Sequence, residues 1–169
     1  MAALIVLRGN SGSGKTTVAK ALQRRFGRGT LVISQDDVRR NMLWVHDEPG
    51  NAAIPLLTAL VEYGHAHADV TILEGILYAD RYQEVFARAR QLYGTEIFAY
   101  YFDLPFEETL ERHQTKPNRD EFGEEAMRRW WREKDYSNIL EETPIGREMK
   151  REEIVETIFH AVQIGRAHV

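Results

Sequence analysis

The chain has 169 residues, 43% hydrophobic and 28% charged, the size and balance of one globular domain with a sizeable core. It contains no cysteine, so disulfide frameworks, thiolate metal sites and cysteine nucleophiles are excluded together. The formal net charge is −4 and no basic block of five or more residues occurs, which disfavours a protein that lives on polynucleotide backbones.

Met1 to Leu7 is apolar but lacks a basic leader and is too short to span a membrane, so a cytoplasmic location is expected. Leu4-Ile5-Val6-Leu7 predicts a first strand covered on both faces. Gly9-Asn10-Ser11-Gly12-Ser13-Gly14-Lys15-Thr16 follows, a match to the phosphate-binding loop G-x-x-x-x-G-K-[ST], with Thr17 next. Val18, Leu22 and Phe26 then recur at helical spacing, and Gly27 and Gly29 end the helix. Thr30 to Ser34 predicts a second strand and Asp36 to Leu43 a short helix, after which His46 to Asn51 forms a polar link with a Pro-Gly turn. Leu56, Leu57, Leu60 and Val61 mark a helix closing near Gly64, and Val70 to Leu73 a third strand with Glu74-Gly75 at its carboxyl end. Tyr82, Val85, Phe86, Ala89 and Tyr93 give one apolar helix face, and Ile97 to Phe102 a fourth strand. Pro105 suits the first turn of the next helix, with Leu110 on its buried side. A charged, lid-like stretch covers about 112–123 and includes Pro117 and Asn118, and a helix runs from about Glu124 to Asp135. Thr143-Pro144-Ile145 is a short fifth strand or an extended link, and Ile154, Val155, Ile158, Phe159 and Val162 mark the last helix.

This alternation predicts an α/β fold of three layers, a mostly parallel sheet of about five strands between helices, in a single domain over 1–162. The tail Gln163 to Val169 carries no clear apolar pattern. It ends in Ile-Gly-Arg-Ala-His-Val, the string that read-through of a sequencing adapter produces, and is set apart as a candidate non-native tail.

In open α/β sheets ligands bind beyond the carboxyl ends of the strands, so the residues after each apolar run are the ones to weigh. The glycines of the loop let backbone N–H groups curl around phosphates, and the helix that follows offers its positive end to the same anion. Gly9 to Thr17 therefore form the nucleotide site, Lys15 reaching the β/γ-phosphates and the Thr16 hydroxyl sitting on Mg²⁺. After the second strand, Asp36, Asp37, Arg39 and Arg40 place carboxylates and guanidinium groups together. Asp36 is either a general base or a carboxylate that complements the helix dipole, and Asp37 is assigned to capping or support. Glu74 stands where a Walker-B carboxylate orients the metal, and Gly75 permits close backbone approach. Arg112, Lys116 and Arg119 supply a lid cation, the last two being indistinguishable by spacing. His65 and His67 lie two apart on a helix and point apart, which argues against a metal pair. Trp130-Trp131 suits packing of the lid helix better than base stacking.

Gln35-Asp36-Asp37-Val38-Arg39 after the second strand and Tyr101-Phe102-Asp103-Leu104-Pro105-Phe106 after the fourth resemble the 5′-hydroxyl kinase domain of phage polynucleotide kinase. They also resemble the wider group of P-loop kinases that includes zeta toxins and chloramphenicol phosphotransferase. The resemblance spans about the first 135 residues in motif order. It implies the strand order 2-3-1-4-5, ATP and Mg²⁺ as cofactors, Asp36 as the base for an acceptor hydroxyl, Arg39 holding substrate and Arg112 facing the nucleotide. Family members more often carry Asp where Glu74 stands, and the lid spacing differs. A kinase acting on a hydroxyl of a small molecule is the expected activity, with no membrane partner; a 5′-end polynucleotide kinase, a nucleotide-sugar kinase of the zeta-toxin kind and a non-enzymatic ATP-binding module are the alternatives. No Asn-Lys-x-Asp element occurs, which argues against a GTPase switch. The acceptor pocket is expected from Arg39, Arg40, 44–55 and 75–81.

Overall fold

Five parallel strands lie in the order β2-β3-β1-β4-β5 in the computed structural model, which describes residues 1–117 and 119–167. They are β1 (Ala3–Gly9), β2 (Leu31–Ser34), β3 (Val70–Gly75), β4 (Ile97–Phe102) and β5 (Glu142–Ile145). The central strands β1 and β3 are buried along their whole length, as an apolar run with helices on both faces requires. β5 confirms the short fifth strand. Its Pro144 has no N–H to donate and is accommodated because β5 is an edge strand.

Helices cover both faces. Helices α1 (Lys15–Phe26) and α7 (Arg151–Ala167) pack one face through Val18, Leu22, Ile154 and Ile158 against Ile5, Leu7 and Ile72. α3 (Ala53–His67) and α4 (Gln83–Tyr93) pack the other, where Leu57, Val61, Val85 and Phe86 meet Leu4, Val6 and Leu73. Each fully buried side chain of this size contributes roughly 1.5–3 kcal/mol of transfer free energy. Between β2 and α3, the short α2 (Gln35–Asp37) runs directly into a wide π-helical segment, Val38–Leu43. α5 (Phe106–Gln114) and α6 (Glu124–Trp130) flank the lid.

Several boundaries differ from the sequence reading. β1 continues through Arg8 to Gly9, because Arg8 is a buried strand residue with its own partners. α3 does not close at Gly64 but runs to His67; a Cβ at Gly64 would collide with the Thr71 side chain, so the glycine serves helix-to-sheet contact. Pro105 precedes α5 instead of entering it, and the fully buried positions of α5 are Thr109 and His113, with Leu110 only partly covered. α6 stops at Trp130, where Trp131 turns extended. α7 continues through Ala167, so 163–167 is helical; His168, Val169 and the lid's Asn118 lie outside the described residues.

Candidate active site

The carboxyl ends of β1, β2 and β3 open into a cavity of about 590 Å³, within the range of small-molecule sites. Its floor is the phosphate loop. Gly12 and Gly14 adopt left-handed φ of 82° and 94°, conformations that an L side chain strains to reach, and a Cβ on Gly12 would also lie 2.5 Å from the Thr109 carbonyl oxygen. Ser11, Gly12, Gly14, Lys15 and Thr16 face the cavity. Gly9, Asn10, Ser13 and Thr17 do not line it. Asn10 instead exchanges a reciprocal pair of hydrogen bonds with the Arg132 backbone, donating to the carbonyl at 2.7 Å and accepting from the N–H at 2.9 Å. Buried Ser13 accepts from Lys15 through its hydroxyl.

Lys15 is the buried cation of the loop. Its ammonium donates to the Asn10 carbonyl at 2.8 Å and to Ser13 Oγ at 3.1 Å, which holds it in the loop ahead of any ligand. Burial lowers its pKa from 10.5 to about 8, with the charge of Glu74 acting in the opposite direction. Glu74 is itself buried at the end of β3, where it accepts from the Thr16 hydroxyl at 3.1 Å through Oε1. Its Oε2 is buried without a hydrogen-bond partner. A hydroxyl, a carboxylate and an orphaned carboxylate oxygen beside a phosphate loop fit the hard, oxygen-seeking Mg²⁺ ion, which takes one or two such protein ligands and completes its shell with phosphate and water. No cluster of three or more His, Asp or Glu residues with metal-binding geometry occurs among the described residues, and His65 meets Tyr93 edge-on while His67 packs at a tilt against Tyr63.

The opposite wall comes from the segments after β2 and β3. Asp36 faces the cavity with its side chain 62% exposed, ion-paired to Arg39 at 3.2 Å and Arg40 at 2.8 Å. Helical spacing explains the pairing: these residues follow Asp36 by three and four positions and turn to the same side. Capping falls to Ser34, whose hydroxyl accepts from the Asp37 N–H, while Asp37 accepts from Asn41. This corrects the assignment of the cap to Asp37, since a serine at the strand end already satisfies the first free N–H. Gly75 lines the cavity, and a Cβ there would strike Gln35, a buried side chain that donates to the Tyr82 hydroxyl at 3.0 Å.

Lid residues part company. Lys116 faces the cavity, and its pKa is lowered by burial, with Glu74 opposing. Arg119 is exposed and lies off the cavity wall. Arg112 is also off the wall, donating to the Ser13 carbonyl at 3.0 Å and to Glu108 at 3.1 Å, so it clamps the phosphate loop from outside. His113 meets the Phe122 carbonyl at 2.8 Å and stacks on its ring, closing the lid segment on itself. Trp130 and Trp131 line the cavity and pack against Phe122 and Phe106, so packing and cavity wall are one arrangement.

His46 and Asp47, from the expected 44–55 segment, and Tyr78 and Arg81, from the expected 75–81 segment, complete the wall with Arg129 and Arg132, which the sequence left unassigned. Asp47 accepts from the Tyr82 hydroxyl at 2.7 Å and pairs with Arg81 at 3.3 Å. Beneath them lies Arg8, fully buried, bonded to Glu142 at 2.8 and 2.9 Å, to Asp135, and to the Leu77 carbonyl at 3.0 Å. That last bond fixes Leu77 in a left-handed conformation, φ 44°, and so sets the path of the chain into Tyr78. The one signal for Arg8 was a charge inside an apolar strand, next to the loop it supports.

Sheet order, phosphate loop and flanking helices define a P-loop protein with the fold of P-loop kinases. A family model described as AAA domain matches residues 4–134, and the chain belongs to that family. No curated protein matches the chain significantly in sequence. Among solved structures, a gluconokinase from Sinorhizobium meliloti 1021 superposes with a TM-score of 0.65 at 17% identity, over 95% of this chain and 91% of that one. The Mycobacterium tuberculosis APS kinase in complex with AMPPNP and APS gives 0.64 at 19%, over 96% and 98%. Shikimate kinase from Acinetobacter baumannii in complex with shikimate gives 0.61 at 18%, over 98% and 95%. At these identities the likeness is one of fold. No described helix is long and apolar enough to cross a membrane.

Proposed function

We propose that the protein is an ATP- and Mg²⁺-dependent phosphotransferase that moves the γ-phosphoryl group of ATP to a hydroxyl of a small molecule, with Asp36 as general base. The observation that carries this reading is a single cavity with a phosphate loop on one wall and, across it, an accessible carboxylate held between two arginines. The kinases of similar fold act on small hydroxyl compounds, which supports the same class here.

In the proposed reaction the acceptor oxygen attacks the γ-phosphorus while the bond to the β,γ-bridging oxygen breaks, ADP departs with that electron pair, and the hydroxyl proton passes to a carboxylate oxygen of Asp36. Lys15 and the N–H groups of the loop hold the β- and γ-phosphates, and Lys116 adds a second cation from the lid. Thr16 and Glu74 would hold Mg²⁺, which supplies charge neutralisation to the phosphates. Arg39 and Arg40 hold Asp36 through ion pairs and keep it aimed into the cavity. Asp47 is the other carboxylate on that wall, but Tyr82 and Arg81 already occupy it, whereas Asp36 keeps solvent access.

An ATP-consumption screen over nucleosides, sugars, sugar acids, hydroxylated antibiotics and 5′-hydroxyl oligonucleotides, with mass detection of product, tests the reading. A phosphorylated small molecule supports it. Turnover confined to oligonucleotides would transfer the site to the polynucleotide alternative, and tight ATP binding without turnover on any acceptor would favour the regulatory module.

A further inference from the structure

The cavity's charge is unlike that of the whole chain. Among the described residues, seven cationic side chains and three carboxylates line it, although the protein carries a net −4. MgATP brings roughly two negative charges, so its binding leaves part of the surplus uncompensated. The excess is concentrated away from the phosphate loop. Arg81 and Arg132 both lie over the Tyr78 ring, their guanidinium carbons 5.0 and 4.0 Å from its centroid, and the Tyr78 hydroxyl is fixed by the Trp130 carbonyl at 2.7 Å. An aromatic platform of this kind orients guanidinium planes while leaving their edges free.

Their present partners do not exhaust them. Arg81 bonds Asp47, yet its Nε is buried without an acceptor, as is the Nε of Arg39 on the same wall. Arg132 donates to Asp80 at 2.6 Å, but Asp80 is 71% exposed, and exposed ion pairs of this sort contribute little, so Arg132 can serve a ligand at small cost. Guanidinium forks match the oxygens of carboxylate and phosphate groups.

Resting on the kinase reading above, we infer that the acceptor is itself an anion, a hydroxyl compound bearing a carboxylate or phosphate group that Arg81 and Arg132 grip beside Tyr78, with its hydroxyl turned toward Asp36. Neutral sugars and nucleosides would leave this subsite unfilled.

Calorimetry on the full chain saturated with a non-hydrolysable ATP analogue and Mg²⁺ tests this, since the phosphate loop is then already occupied. Inorganic phosphate, D-glycerate and glycerol are titrated separately. Saturable binding of phosphate or D-glycerate, at least tenfold tighter than glycerol, is expected, and which anion wins distinguishes a phosphorylated acceptor from a carboxylic acid. Arg81→Gln and Arg132→Gln should each weaken that binding about tenfold or more while leaving the analogue's affinity unchanged, with Arg→Lys at either position restoring part of it. If neither anion exceeds glycerol, or if both Gln variants bind the anion like the parent, the subsite assignment falls while nucleotide binding stands. If the analogue itself does not bind, the kinase reading falls first and takes the acceptor assignment with it.

Discussion

The two walls of the cavity are built in opposite ways. On the donor wall Lys15 is buried and bonded to its own loop, Ser13 and Glu74 are buried with it, and Arg112 clamps the loop from behind. On the acceptor wall Asp36 is more than half exposed, its arginines are partly exposed, and the π-helical segment ends in Trp44, 91% exposed at a left-handed φ of 55°. A rigid, desolvated donor site strengthens every charge interaction with the phosphates but costs stability, because a buried ammonium is held without water. An open acceptor wall gives up that strength and keeps access for a second substrate. The donor half is thus held in place before binding, whereas under the proposed function the acceptor half would gain its dry surroundings from the bound ligand.

Lys15→Met breaks this comparison at its strongest point. Turnover should fall by at least about 10³-fold, because a preorganised cation in a desolvated site is lost. Stability in the absence of nucleotide should move the other way. Lowering a lysine pKa from 10.5 to about 8 corresponds to roughly 3 kcal/mol of penalty on the buried charge at neutral pH. Part of that is returned by the two hydrogen bonds, so the Met variant should melt at or above the parent at pH 7. A large fall in melting temperature would show that Lys15 is structural and not held in readiness for phosphate.

Asp36→Asn tests the open wall. Loss of the base should cut phosphoryl transfer about 10²–10³-fold. ATP affinity should stay within about twofold, because the side chain faces solvent across the cavity, and melting should barely change, as expected for an exposed position. Near-parent turnover would exclude it as the base and turn attention to Asp47.

How much of each wall was legible follows from the same contrast. Phosphate loops are written locally: glycines at the positions of positive φ, a lysine and a hydroxyl at fixed offsets, a strand before and a helix after. The strand order came with the resemblance to P-loop kinases, since apolar runs locate strands but do not order them, and the sheet has that order. Asp36, Arg39, Arg40 and Glu74 could be picked out because they stand just after β2 and at the carboxyl end of β3. Tyr78 and Arg81 could be placed only as members of the 75–81 segment and Arg132 not at all, since their meeting depends on how the 76–82 loop and the 131–137 segment fold over Arg8, and no local spacing encodes a contact between residues fifty apart. The lid shows the limit most sharply. Lys116 and Arg119 are equivalent on paper, and only the turn that follows α5 points one inward and leaves the other outside.

That turn defines a smaller effect. Lys116→Met should lower kcat by about 10²-fold if its ammonium reaches the transferring group, whereas Arg119→Met should remain within about twofold. Equal losses would mean that the lid rearranges on closure and that its cations are interchangeable.

The smallest effect concerns protons. In the free protein Lys15 has a pKa of about 8, and phosphate oxygens placed against it favour the charged form and raise that value. At pH 8 nucleotide binding should therefore take up about half a proton at this site, readable as a dependence of the calorimetric enthalpy on the ionisation enthalpy of the buffer. The uptake should vanish at pH 6.5, where Lys15 is already charged, and in Lys15→Met at any pH. Linkage in the absence of nucleotide has a definite sign. Below pH 8 the lysine is charged in both the folded and the unfolded chain and the burial penalty is complete. From about pH 8 to 10.5 the unfolded chain binds more protons than the folded one, so the penalty shrinks as pH rises. The stability difference between the Met variant and the parent should narrow over that window. A difference that stays constant to pH 10 would mean that the donor wall is wetter than its geometry implies, and the contrast between the two walls would lose its physical basis.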